Sequence, residues 1–131
     1  MKKHDVKFSD DKFKSFVRYM IHVAEQKRCV PYYEIENIYG LSHEQVGYYS
    51  GILGLYCIEE GFPLLNGLII SSTECKPSEG FDDFQKSTKM DWGQVVQMCW
   101  KRFHVTSSRQ KQTENYSGLD GDIEEFLKDL E

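Results

Sequence analysis

Apolar residues recur every three or four positions near the start of the chain, which predicts a first helix over about residues 10–27. Ser9 or Asp10 can cap this helix, because a short oxygen side chain accepts from the free amides of the first turn. The positions that form its apolar face are Phe13, Phe16, Val17, Met20, Ile21 and Ala24.

The next segment predicts a helix-turn-helix. A second helix runs from Pro31 to Tyr39 and ends at Gly40, which can adopt the left-handed conformation. Ser42 and Gln45 form the capping-box pattern of a third helix that extends to Glu60. Two helices joined by so short a turn are typical of this motif, and a short strand at Cys29-Val30 precedes it.

A strand is predicted from Leu64 to Ser72, because the apolar run there is too short for most helices. Turn-forming residues follow over 76–80, and Phe81 and Phe84 mark a returning strand. A strand and its return after the third helix would form a wing. The expected fold class is therefore α+β and mainly helical, with a winged-helix-like domain that carries a small β-hairpin or strand.

Two further amphipathic segments complete the pattern. The first predicts an added helix from about Asp91 to Phe103, and the second predicts an acidic C-terminal helix whose apolar positions are Ile123, Phe126, Leu127 and Leu130. A helix this short needs a surface on which to dock. The expected organisation is a domain at 1–104, a flexible linker at 105–118 and an acidic tail at 119–131.

The charge is distributed unevenly along these elements. Residues 1–28 hold eight basic residues against four acids, whereas residues 29–75 hold six acids and no Lys or Arg. The last thirteen residues hold six acids and one Lys, which accounts for the net charge of −5. Because Lys and Arg supply most of the grip on phosphate, the predicted third helix lacks the usual charge of a DNA-recognition helix.

The candidate chemistry is sparse. Cys57 with His43 is the one nucleophile and base that could be paired, and its helical apolar surroundings favour a buried thiol. The four histidines are isolated, so neither a metal site nor a cofactor is predicted. We therefore expect a protein that is not an enzyme. No apolar run has the length of a membrane span, no membrane contact is expected, and the cytoplasm is the expected compartment.

Two clusters in the helix-turn-helix remain. Gly47, Gly51 and Gly54 form a stripe in the third helix, for which close packing is the simpler interpretation and a contact groove is the alternative. Six of the eight tyrosines lie between residues 32 and 56. Tyr side chains in part serve as core and in part favour protein interfaces.

The segment from the second helix to the strand resembles the winged-helix domain of DNA alkyltransferases and alkyltransferase-like proteins. The similarity covers about residues 30–72 and rests on 33–40, Val46-Gly47, Gly51, Gly61 and Pro63. Family members that repair DNA carry a Pro-Cys-His-Arg active site, and the matching place here reads Pro63-Leu64-Leu65-Asn66. The resemblance therefore implies a fold without alkyl transfer.

The chain also resembles uncharacterised bacterial and phage proteins over about residues 30–81. These proteins share a helical segment, a hydrophobic strand and a Gly-Phe turn, found here as Val46-Gly47, Leu53-Gly54, Cys57, Gly61, Pro63-Leu64-Leu65 and 77–81. This resemblance implies a fold and a mobile-element context, and it implies no activity.

The leading hypothesis is a non-enzymatic interaction or regulatory protein that binds a protein partner. The predicted contact residues lie in the helix-turn-helix and in the tail: Tyr32, Tyr33, Glu36, Tyr48, Tyr49, Ile123, Phe126, Leu127 and Leu130. The alternative is nucleic-acid binding through basic flanks, with the acidic tail competing for the same cations: Lys12, Lys14, Arg18, Lys86, Lys89, Lys101, Arg102, Arg109 and Lys111. Self-association stays open.

Overall fold

The computed structural model describes residues 8–77, 79–104, 116 and 118–130. This part of the chain is mainly helical and carries a small two-stranded parallel sheet, which confirms the coarse prediction of a mainly helical α+β fold. In chain order the elements are α1 (Asp10–Glu25), β1 (Val30–Pro31), α2 (Tyr32–Tyr39), α3 (His43–Glu60), a 3₁₀ turn (Leu65–Leu68), β2 (Ile69–Ile70), a second 3₁₀ turn (Glu79–Phe81), α4 (Asp82–Thr88), α5 (Trp92–Phe103) and α6 (Leu119–Leu130).

The predicted helix ends are confirmed where local chemistry sets them. The Ser9 side chain accepts from the Lys12 amide at the start of α1, and Ser42 and Gln45 make both hydrogen bonds of the capping box of α3. Gly40 and Gly61 end α2 and α3 with φ of 63° and 73°, which glycine adopts without strain.

The predicted wing is wrong in its second half. Only Ile69–Ile70 of the expected strand is extended, and it pairs in parallel with Val30–Pro31. Phe81 lies in a 3₁₀ turn and Phe84 lies in α4, so neither belongs to a returning strand. Their spacing of three residues places both rings on one helical side, where the centroids are 6.1 Å apart and the rings cover glycines of the core.

The core forms around α1, which packs against α5 and against the first 3₁₀ turn. Its largest buried side chains include an aromatic group in which Phe13 and Phe16 of α1 meet Tyr49 and Tyr56 of α3. Aromatic side chains of this size bury large apolar areas and so stabilise a small domain strongly.

The C-terminal helix α6 belongs to the same core. Leu119, Ile123 and Leu127 are at most 4% exposed, and α6 contacts α1 and α3. The Phe126 ring lies 5.2 Å from the ring of Tyr56. The predicted tail helix therefore docks on this chain's own body, while most of the predicted linker lies outside the described residues.

The glycine stripe of α3 divides into two environments. A side chain at Gly54 would collide with the Phe84 ring and would lie 2.8 Å from the Asn66 amide nitrogen, whereas one at Gly47 would meet nothing within 4 Å. Close packing therefore explains Gly54, and Gly47 faces open space.

We expect opposite effects when each of these two glycines is replaced by alanine. Gly47→Ala should raise the free energy of unfolding by about 0.5–1 kcal/mol, because alanine is the better helix former. Gly54→Ala should lower it by about 1–2 kcal/mol, because overpacking outweighs the same gain. Urea unfolding of the two variants checks this, and a shift of the same sign in both would contradict the packing described for Gly54.

Candidate functional site

The tyrosines predicted to face a partner are for the most part core residues. Tyr32, Tyr48 and Tyr49 are at most 8% exposed, whereas Tyr33 is 58% exposed. The Tyr49 hydroxyl accepts a hydrogen bond from the Ser9 amide over 2.7 Å, which fixes it inside the fold. Of the predicted set in the helix-turn-helix, Tyr33 and the half-buried Glu36 remain at the surface.

The four predicted contact residues of the tail are also turned toward the body. Ile123 and Leu127 are buried, and Phe126 and Leu130 are half-buried against the core. The predicted partner role of Ile123 and Leu127 is corrected, because the surface that their helix covers is α1 and α3 of the same chain.

Two acids of α2 already have partners inside the protein. Glu34 accepts from the Tyr19 hydroxyl at 3.0 Å and lies 3.3 Å from an Arg28 nitrogen. Burial, followed by the hydrogen bond to Glu34, raises the pKa of Tyr19 to about 12, so this phenol stays protonated and donates at neutral pH. Glu36 lies 3.3 Å from the His43 ring nitrogen, and its side chain is 27% exposed.

A cleft of about 620 Å³ surrounds Glu36. We call it the acidic cleft and define it by three carboxylates and three aromatic side chains, together with His43 and Lys76. The carboxylates of the acidic cleft are Glu36, Glu74 and Asp82, and its aromatic side chains are Tyr32, Tyr33 and Trp92. The Lys76 ammonium forms an ion pair with Glu74 over 3.4 Å.

A second, predominantly apolar depression of about 520 Å³ adjoins the acidic cleft at Tyr32 and Pro77. A third depression of about 590 Å³ lies near the end of α3 and shares Ile58 with the second. We call these two depressions together the α3 groove. Its lining includes Gly47, Gly51, Leu55 and Ile58 of α3, Phe84 of α4 and Met98 of α5.

Sequence reasoning missed most of this surface. Asp82 and Trp92 come from elements far along the chain from α2, and the Trp92 indole donates to the Gly67 carbonyl over 2.7 Å. Leu55 and Ile58 are the one feature of the sequence that could have indicated an exposed apolar surface, because α3 has apolar residues around most of its circumference. A helix with a single buried side leaves some of them exposed.

The basic residues proposed for nucleic acid lie on separate elements. Lys12, Lys14 and Arg18 belong to α1, Lys86 and Lys89 lie in or next to α4, and Lys101 and Arg102 belong to α5. Arg109 and Lys111 lie outside the described residues.

Acids of α6 cover part of the basic side of α1. Lys14 is ion-paired with Glu124, and an Arg18 nitrogen lies 3.1 Å from an Asp120 oxygen. The Lys12 ammonium donates to the Tyr39 carbonyl over 2.8 Å. The acids of the tail, which the sequence predicts to compete with nucleic acid for basic residues, are thus paired with Lys14 and Arg18 in the folded chain.

Acidic side chains at the C-terminal end of α3 and in α6 repel one another. Partial burial, and after it the charges of Asp122, Glu59 and Glu125, raise the pKa of the Glu60 carboxyl above its ordinary value. A raised pKa in the folded state means that ionisation of Glu60 disfavours the fold, so this contribution lowers stability as pH rises through that pKa.

We therefore expect Glu60→Gln to stabilise the protein at pH 7. The exposed side chain is screened by solvent, so the gain in unfolding free energy should be only about 0.5 kcal/mol. It should vanish at a pH of about 3, well below the ordinary Glu pKa of about 4.3, where the wild-type carboxyl is protonated in both states. Thermal unfolding across pH measures the difference, with Glu44→Gln at the other end of α3 as control; a gain that persists in acid would contradict the assigned cause.

The nucleophile considered from the sequence is poorly placed for reaction. Burial raises the pKa of the Cys57 thiol to about 12, so it remains protonated, and its sulfur is fully enclosed. His43 lies at the exposed start of α3 with its ring 5.1 Å from that of Tyr32. Within the described ranges no group of three His, Cys, Asp or Glu side chains could hold a metal ion.

Among the described helices, none combines the length and the apolar character needed to cross a bilayer. Comparisons with known proteins give no match to a family model, to a curated protein or to a solved structure.

Proposed function

We propose that the protein is a non-enzymatic interaction protein that binds a protein partner at the acidic cleft. The partner segment it fits is cationic. The observation that carries the proposal is the gathering of Glu36, Glu74 and Asp82 beside exposed Tyr33 in one cleft. Carboxylates next to aromatic rings favour Lys or Arg side chains through ion pairs and cation–π contacts.

The proposal includes a winged-helix-like body and a regulatory role. The order of α1, α2 and α3 followed by β2 supports the winged-helix-like body. The lack of basic residues in the helix-turn-helix supports a regulatory role through a protein partner instead of through nucleic acid. In this body α3 stands where a recognition helix would be, and residues 29–75 hold no Lys or Arg. A protein-facing surface at this place needs no phosphate-binding cations.

Photo-crosslinking at position 33 tests the proposal. Tyr33 is replaced by a photoreactive phenylalanine derivative, and exposed Gln97 on α5 carries the same group in the control. We expect a protein adduct from position 33 that is absent from position 97 and is lost when Glu36→Lys is added. The proposal fails if no adduct forms, or if the adduct persists in the Glu36→Lys variant while circular dichroism shows an unchanged fold.

Nucleic-acid binding through α1 is the second candidate. The observation that favours it is that Asp120 and Glu124 hold Arg18 and Lys14 in the way that phosphates would. In this candidate α6 is a competitor, and its neutralisation exposes the cations.

A salt series with a labelled DNA duplex decides this candidate. Asp120→Asn with Glu124→Gln should increase affinity, and the affinity should fall steeply with salt, since each phosphate contact releases counterions. Absence of binding by this double variant at about 50 mM salt would rule the candidate out.

A further inference from the structure

We propose that the α3 groove binds an amphipathic helical segment of the partner, with a cationic end at the acidic cleft and an anionic end at Lys101 and Arg102. This inference rests on the proposed function and extends it from the acidic cleft to the adjoining groove. It specifies the conformation, the length and the charge order of the partner segment.

The first argument is the exposed apolar surface. Leu55, Ile58 and Met98 are 38%, 50% and 44% exposed, and all three line the α3 groove. Contiguous apolar side chains at the surface mark interaction sites far more often than single ones do. Before Leu55 in α3, Gly47 and Gly51 present no side chain to the groove, so that an incoming backbone can come close.

The second argument is the length and shape of the groove. From Gly47 to Gly61 it follows α3 for about 20 Å, which equals the length of a helix of about 14 residues. Its opposite wall is built by α4 and by residues around Met90. A groove flanked by helices receives the apolar face of an amphipathic helix through positions spaced by three and four residues.

The third argument is the change of charge from one end to the other. Asp83 lines the groove near the acidic cleft, and Lys101 and Arg102 line it near Gly61. A segment with the opposite order of charges is favoured over its reverse, because like charges would otherwise meet at both ends.

The floor of the groove adds an unpaired acceptor. Asn66 lines the first depression and is 3% exposed, and its Oδ1 has no hydrogen-bond partner among the described residues. Buried polar atoms are rarely left unpaired, and because this oxygen is almost closed to solvent, a donor of the occupant reaches it only after the amide turns toward the groove.

Selection of peptides from a displayed library of random 16-residue sequences tests the inference. The enriched peptide is then synthesised and titrated against variants by fluorescence anisotropy. We expect apolar positions at helical spacing, basic residues at one end and acidic residues at the other. Ile58→Glu should weaken binding at least about tenfold, whereas Ile38→Glu, with the same 50% exposure on α2, should leave it unchanged.

A charge exchange tests the orientation. Lys101→Glu should weaken binding about threefold to tenfold, and a peptide whose acidic end is changed to Lys should restore it. The inference is overturned if no peptide is enriched over an unrelated protein, if the enriched sequences lack helical spacing, or if Ile58→Glu binds as tightly as the wild type. A crosslink at position 33 that is lost when Glu36→Lys is added would then leave the proposed function standing while the groove is excluded.

Discussion

Tyr49→Ala should lower the free energy of unfolding by about 3–5 kcal/mol, as the loss of a large buried aromatic side chain does. Tyr49 is 1% exposed and contacts the rings of Phe8, Phe13 and Phe16. The matched change Tyr33→Ala removes the same side chain from an exposed position and should alter stability by no more than about 0.5 kcal/mol. Urea unfolding followed by circular dichroism measures both.

The comparison of Tyr49→Ala with Tyr33→Ala distinguishes a core residue from a surface residue, although the sequence predicts both as partner contacts. Tyr33→Ala should weaken partner binding without loss of stability, and Tyr49→Phe should retain the fold while it loses the hydrogen bond from Ser9. Equal stability of the two alanine variants would contradict the burial that assigns Tyr49 to the core.

Ile123→Ala and Leu127→Ala should each lower the free energy of unfolding by about 2–5 kcal/mol. Both side chains are at most 1% exposed, and their helix completes the core beside α1 and α3. In contrast, Lys128→Ala on the exposed side of α6 should change stability by less than about 0.5 kcal/mol. Thermal and urea unfolding of the three variants provide the measurement.

The ion pairs on α6 should matter much less than its apolar face. Glu124→Gln removes the closer of the two carboxylate partners of Lys14, yet an ion pair at the surface contributes little to stability. If Ile123→Ala left stability unchanged, α6 would be a detachable tail, and its apolar residues would again be available to a partner as the sequence suggested.

Local chemistry made the helix ends predictable. Ser9, Ser42 and Gly61 act through hydrogen bonds and backbone conformations that involve their immediate neighbours, so no knowledge of the tertiary structure was needed. The amphipathic pattern of α6 likewise predicted a docked helix. It carried no information about which surface the helix would cover.

The wing and the tyrosines depended on tertiary contacts. The apolar run after Pro63 suits a strand, but Gly67 packs closely against Val95 and Phe81, and the backbone of Leu65–Leu68 turns instead. For α3, apolar residues on most sides left the buried face ambiguous. Tyr48 and Tyr49 were therefore placed at the surface, while Leu55 and Ile58 were overlooked.

The candidate site was predictable in its charge and unpredictable in its extent. The absence of Lys and Arg from residues 29–75 pointed to a protein-facing surface, and Tyr33 and Glu36 do lie in the acidic cleft. Asp82 and Trp92 join them from elements far along the chain, which no local pattern brings together.

Hydrogen–deuterium exchange of the intact chain, alone and saturated with the partner captured at position 33, tests the central claim most directly. The account predicts slower exchange over α2, α3, α4 and α5, with α1 and α6 unchanged, because residues of the first four helices line the acidic cleft and the α3 groove and residues of α1 and α6 do not. Slower exchange confined to α1 and α6 would contradict it and would place the contact on the basic side of the protein.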